Sequence, residues 1–172
     1  MTAQPLVTVA VAAFDAGPLL VPSIESLLAQ TYATIEIRLV DDGSTDGSIE
    51  LLERFTDDRL IIDRQENRGK AAALNRVLDL ALGEYLLIHD ADDVSHPERV
   101  ARLVDHMERH EDLAACYSNH DLVVGDRVIP GRIIGKSRAE CSSITERMKA
   151  VVDPTGMRSH VDDLRHQCLT RR

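Results

Sequence analysis

Tyr85-Leu-Leu-Ile-His-Asp-Ala-Asp-Asp-Val-Ser-His-Pro97 is the stretch that decides the fold. Its apolar run stops abruptly at three carboxylates, Asp90, Asp92 and Asp93, and a helix-starting proline follows at Pro97. A short apolar run bounded in this way reads as a buried strand of a parallel sheet, with the acids at its carboxyl end. Ligands of open α/β sheets bind outside that end. Three acids crowded together repel one another unless a cation or a shared proton relieves them. The stretch therefore points to a divalent-metal site that holds a phosphate-bearing substrate.

Working outward, strands are expected at residues 7–13, 35–40, from 60–62 to near Gln65, 85–89 and 114–118. Between them, Leu20, Ile24, Leu27 and Leu28 share one helix face, with Pro22 tolerated in the first turn. Ile49, Leu52 and Phe55 mark a second helix. Leu74, Val77, Leu78 and Ala81 mark a third, closed by Gly83 as its C′ residue. Val100, Leu103, Val104 and Met107 point a fourth inward from Pro97. This alternation predicts βαβ units and an α/β fold with a mostly parallel sheet. Residues 122–129 read as a hairpin turning at Gly125-Asp126. Residues 131–140 read as loop. Ser143 and Glu146 match a capping box for a short helix through Val152, and no periodicity follows Asp153.

Composition narrows the function. The chain has 172 residues, enough for one domain with a sizeable core. Its net charge of −9 argues against nucleic acid as a partner, because a phosphate-tracking surface needs a basic excess. The three cysteines are far apart and include no C-x-x-C pair, so reduced thiols are expected rather than a disulfide framework or a zinc knuckle. No signal peptide and no membrane-spanning run is visible. A cytoplasmic location is expected, with peripheral association at the inner face of the membrane left open.

Three strand-ending loops carry the candidate chemistry: Asp41-Asp42, Asn67-Arg68-Gly69-Lys70 and Asp90-Ala91-Asp92-Asp93. In a parallel sheet they converge on one edge. Carboxylates there suit Mg²⁺ or Mn²⁺, which take one or two carboxylates together with substrate phosphates. Arg68 and Lys70 suit phosphate or base oxygens. Asp41 or Asp42 suits a base N–H or a sugar hydroxyl. Each motif alone has a plainer reading. Ser44, Thr45 and Asp46 could simply cap a helix, residues 67–70 could be a solvated turn, and Asp93 could cap the helix after it. His89 reads as a packed strand-end residue, and the Asp105-His106 and His120-Asp121 pairs as solvated faces. The conjunction and order of the three loops favour a shared site.

Four segments appear in succession: Val7-Thr-Val-Ala-Val-Ala-Ala-Phe-Asp15, Val40-Asp-Asp-Gly-Ser-Thr-Asp46, Asn67-Arg-Gly-Lys-Ala-Ala-Ala-Leu-Asn75 and Gly83-Glu-Tyr-Leu-Leu-Ile-His-Asp-Ala-Asp-Asp93. In that order and at that spacing they resemble the family 2 glycosyltransferases, which have the GT-A fold (a Rossmann-like nucleotide-diphospho-sugar transferase fold). The resemblance spans residues 7–124. It implies an inverting, metal-assisted transfer of a sugar from a UDP or dTDP donor to a glycan, lipid-linked or other hydroxyl acceptor. It implies that Ala13, Phe14 and Asp15 line the base, with Asp41 binding it and Asp42 alongside. Arg68, with Lys70, would lie near the base or phosphates. Asp90 would reach the ribose or a metal-bound water, and Asp92 would ligate Mn²⁺ or Mg²⁺. Residues 1–130 would form the GT-A core, and residues 131–172 a short, diverged or truncated acceptor-side tail of the same domain.

Two departures stand out. Phe14-Asp15 replaces the family's aromatic-Asn pair. Downstream, Val152-Asp-Pro-Thr-Gly-Met-Arg158 resembles the opening of the segment that supplies the general base, but only Asp162 and Asp163 are near enough to be candidates. A non-catalytic or truncated donor-binding module is therefore a rival reading. A strand running into Asp90-Ala91-Asp92-Asp93-Val94 also resembles the haloacid-dehalogenase phosphatases, whose first aspartate is a nucleophile, though their motif stands near the start of the domain. A dinucleotide-binding dehydrogenase lacks its G-x-G-x-x-G after the first strand.

Overall fold

The computed structural model describes residues 4–110, 113–117, 122–124, 127–129, 134–137 and 168–171. In chain order the elements are β1 (Val7–Ala13), α1 (Leu20–Leu28), β2 (Ile35–Asp41), β3 (Leu60–Arg64), α2 (Lys70–Leu80), β4 (Tyr85–Asp90), α3 (Arg99–Arg109), β5 (Leu113–Tyr117), β6 (Leu122–Val124), β7 (Arg127–Ile129), β8 (Ile134–Ser137) and β9 (Cys168–Arg171). Seven strands form one sheet in the order β3-β2-β1-β4-β9-β5-β8. The first four are mutually parallel, and β9 runs antiparallel to both β4 and β5. Strands β6 and β7 pair separately as the expected hairpin. Its Gly125-Asp126 turn lies outside the described residues, as does the helix expected from Ser143 to Val152.

Alternation along β1 sorts the two sides of the sheet. Val7, Val9, Val11 and Ala13 join Ile35, Ile37, Leu39, Tyr85 and Leu87 against Leu20, Ile24 and Leu27 of α1 and Val100, Leu103 and Met107 of α3. Ala10 faces the other way, with Val40 and Leu86, onto Ala73, Val77 and Ala81. Both faces are thus covered, which accounts for β1, whose every position is apolar or small.

At the amino-terminal edge of the sheet the Glu36 carboxylate is buried, and the Thr8 hydroxyl and the Leu82 amide (2.6 Å) both donate to it. The Gly83 amide donates to Thr8 Oγ1 at 2.9 Å. A Cβ on Gly83 would stand 2.5 Å from the Thr8 nitrogen, so only glycine lets the chain pass this close. The expected C′ role of Gly83 is thereby corrected. Helix α2 ends at Leu80, and Ala81 is already extended (φ −62°, ψ 135°).

Three further expectations change. The second helix is a five-residue 3₁₀ segment, Glu50–Arg54. Ile49, Leu52 and Phe55 are spaced by threes, which is the period of a 3₁₀ helix rather than an α-helix. The stretch at 131–140 contains β8, and the tail beyond Asp153 contains β9. Ile-Gly-Lys-Ser and Cys-Leu-Thr-Arg carry almost no apolar pattern of their own. Neighbouring strands supply their hydrogen bonds, and Leu169 is fully buried between them.

Candidate functional site

The carboxyl ends of β1, β2 and β4 open into a cleft of about 520 Å³. It is lined by the 12–16 turn, Leu19, Asp42, Lys70 and the acid-bearing loop at Asp90, Ala91 and Asp92. Of the residues singled out from sequence, Ala13, Phe14, Asp15, Asp42, Lys70, Asp90 and Asp92 meet here. Asp41 and Arg68 do not line it. Asp162 and Asp163 lie outside the described residues.

Ladder-like bonds continue past the strand ends and hold these loops together. The Asp42 amide donates to the Ala13 carbonyl at 2.8 Å, and the Gln65 amide to the Asp41 carbonyl at 2.9 Å. The two aspartates then divide their work. Asp41 is buried, and its Oδ1 accepts from the Ser44 amide at 2.9 Å, with Arg64 Nε 3.7 Å from Oδ2. Asp42 is 2% exposed and gathers the loop before α2: Gln65 Nε2 (2.7 Å) and the Arg68 amide (2.9 Å) donate to Oδ1, and the Gly69 amide (2.7 Å) to Oδ2. In this structure both carboxylates shape loops, and Arg68 takes part through its backbone.

The first loop and the 44–48 segment tie to each other. Asp15 has a left-handed backbone (φ 45°), and its carboxylate accepts from the Thr45 amide at 2.8 Å while its own amide donates to Ser44 Oγ at 3.0 Å. Asp46 Oδ2 accepts from the Gly17 amide at 2.8 Å, and its Oδ1 from the Ser48 amide and hydroxyl. The Ser48 hydroxyl and amide, with the Gly17 amide, hold the Asp46 carboxyl below the usual carboxylate range. The plainer reading of Ser44, Thr45 and Asp46 as helix caps is thus replaced. The 3₁₀ segment that follows has no side-chain cap, and these residues brace the wall of the cleft instead.

Opposite, Lys70 Nζ contacts Asp90 Oδ1 at 2.7 Å. Asp92 is exposed, and Phe14 and Leu19, each about half exposed, form an apolar lip. The lining carries four carboxylates against one ammonium, so an anionic ligand would be repelled without an added cation. Among the described residues no group of three or more His, Cys, Asp or Glu side chains forms a metal cage. Asp90 and Asp92 fit the other arrangement, in which Mg²⁺ or Mn²⁺ takes one or two carboxylates and completes its shell with substrate phosphates.

Sequence reasoning missed what lies behind this loop. His89 is buried, as expected of a packed strand end, and Arg99 beside it is 7% exposed. Arg99 Nη1 donates to His89 Nδ1 (3.1 Å) and to Ser95 Oγ (2.9 Å). The signal was present. Arg99 stands four residues before Leu103 and eight before Met107, on the apolar stripe of α3.

A mostly parallel α/β sheet with an acid-lined cleft at its carboxyl edge has the architecture of the GT-A transferases. A family model described as glycosyl transferase family 2 matches residues 8–142. GlyG of Streptococcus pneumoniae serotype 4, a glycosyltransferase, is 40% identical over 109 residues, which is 62% of this chain and 36% of GlyG. WfaP of Escherichia coli, named as a UDP-Glc:α-D-GlcNAc-diphosphoundecaprenol β-1,3-glucosyltransferase, is 34% identical over 127 residues, 73% of this chain and 50% of WfaP. The solved structure of the mannosyltransferase PcManGT from Pyrobaculum calidifontis, in complex with GDP-Man and Mn²⁺, aligns with TM-score 0.64 and 31% identity. That alignment covers 69% of this chain and 36% of PcManGT. The chain belongs to glycosyltransferase family 2, and its fold is GT-A. It spans half or less of the length of these relatives.

Proposed function

We propose that this chain binds a nucleotide-diphospho-sugar of UDP or dTDP type and serves its metal-assisted transfer, with inversion, to an acceptor hydroxyl on a glycan or lipid-linked sugar. The observation that carries the reading is the cleft itself. It brings Phe14, Asp15, Asp42, Lys70, Asp90 and Asp92 together from loops far apart in sequence. The apolar lip of Phe14 and Leu19 suits the base. Lys70 offers an ammonium to a phosphate oxygen, and its pairing with Asp90 keeps that charge at the cleft. Asp90 and Asp92 would hold Mn²⁺ or Mg²⁺, which when bound neutralises charge developing on the leaving diphosphate. The name of WfaP supports a lipid-linked acceptor, and the ligands of PcManGT support a metal-bound donor.

No helix among the described residues is long and apolar enough to cross a membrane. The proposal keeps a cytoplasmic location, with peripheral association at the inner face of the membrane left open, where a lipid-linked acceptor of the kind in the name of WfaP would be met. Family membership sets the phosphatase reading aside. The donor-binding module is the second reading, favoured by a cleft whose lining is accounted for by donor and metal alone.

Calorimetric titration with UDP-, dTDP- and GDP-sugars in Mn²⁺ tests the proposal. Binding that requires the metal and is lost in Asp92→Ala supports it. No binding of any nucleotide sugar at millimolar concentration sinks it. Donor binding without transfer to any hydroxyl acceptor selects the module reading.

A further inference from the structure

Burying a guanidinium costs several kcal/mol unless its surroundings repay it. Arg99 is buried at the first turn of α3, and desolvation pushes it down to about 10. The nearby charges of Asp93 and then Asp90 act against that shift, and it stays protonated at neutral pH. Two of its hydrogen-bond partners, His89 and Ser95, belong to the strand that feeds the acid-bearing loop and to the loop itself. The cation is therefore fixed by the loop's geometry and offset by the loop's charge.

The bonding also has a direction. A guanidinium only donates, so His89 Nδ1 must carry the lone pair and Nε2 the proton. Nε2 then donates to Ser23 Oγ at 3.0 Å, and the Ser23 hydroxyl donates to the Asp90 carbonyl at 3.4 Å. The chain of donors runs from Arg99 to the backbone of a proposed metal ligand. Helix α1 and the turn that follows it hold the rest of the loop from the same side. Ser26 Oγ accepts from the Ser95 amide (2.9 Å), Gln30 Nε2 donates to the His96 carbonyl (2.8 Å), and the Thr31 amide to that of Pro97 (2.8 Å).

We infer that Arg99 is a positioning residue. From behind the acid-bearing loop, through His89, Ser95 and Ser23, it sets the loop backbone so that Asp90 and Asp92 face the cleft before any cation arrives. The inference rests on the metal reading of that loop given above. Outer-shell partners of this kind typically change metal affinity by about 10- to 100-fold.

The test is Mn²⁺ binding in the presence of UDP, followed by loss of the free-ion paramagnetic resonance signal, with melting temperature measured alongside. Arg99→Met is expected to weaken Mn²⁺ binding about tenfold or more, and Arg99→Lys to recover part of the loss. A lower melting temperature with unchanged Mn²⁺ affinity shows a merely structural residue and overturns the inference. Tighter Mn²⁺ binding shows that Arg99 only repels the metal, and also overturns it. If Arg99→Met does not fold, Ser95→Ala, which keeps the cation but loosens its anchor, should weaken binding in the same sense, toward the lower end of about 10- to 100-fold. Unchanged affinity there is equally fatal. Wild-type protein that binds no Mn²⁺ brings down the metal reading and this inference together, whereas normal wild-type binding with unaffected variants removes this inference alone.

Discussion

Asp15 shows how one side chain secures a loop. Its left-handed backbone costs an ordinary residue about 1–2 kcal/mol, and aspartate and asparagine tolerate it because their short polar groups bond locally. Here the carboxylate bonds across to a second loop instead, accepting from the Thr45 amide. Asp15→Ala should therefore lower stability by about 1–2 kcal/mol in urea unfolding, combining backbone strain with a lost acceptor. Asp15→Asn keeps both the acceptor oxygen and the conformational tolerance and should stay within about 0.5 kcal/mol of the parent. The same geometry explains why aspartate can stand where the family commonly has asparagine. At this scale the sequence was legible wherever a residue's chemistry is visible in its type, as with the acids at 90 and 92. It was opaque for Asp41 and Asp42, since nothing in a pair of aspartates says whether their oxygens serve a ligand or their own loops.

Between elements, the turn after β1 and the segment after β2 are joined by Asp46. Its carboxyl is held below the usual carboxylate range, so it contributes stability above pH 3.8 that is lost as pH falls through its lower folded value. A ¹³C titration of the Asp46 carboxyl should give a midpoint below 3.8. Ser48→Ala removes the largest cause and should bring the midpoint back toward that value. A midpoint unmoved by the substitution would contradict the assigned cause. Helices and strands with a strong period were readable in advance: α1, α2, α3 and the four parallel strands. The 3₁₀ segment was misread because three-residue spacing suits two kinds of helix over so short a span. Strands β8 and β9 were missed because sheet membership there comes from neighbouring backbones, and no residue type encodes that.

For the molecule as a whole, β9 matters more than its four residues suggest. It occupies the interior of the sheet, and Leu169 pairs with Leu87 on one side and Cys116 on the other. Leu169→Ala should cost about 2–5 kcal/mol, because the cavity opens between two strands rather than at an edge. Chemical denaturation should show that loss in a single transition shared by both flanking strands. Two separate transitions would mean that β5 and β8 unfold apart from the rest. The same placement bears on how the protein is made. Thr170 meets Leu86 across 84 residues of sequence. A ribosome adding about 5–20 residues per second releases β4 and β5 seconds before the strand that must lie between them. During that interval both strands present unfilled edges, so the nascent chain depends on prompt arrival of its last described strand, or on a chaperone, to avoid pairing with a neighbour.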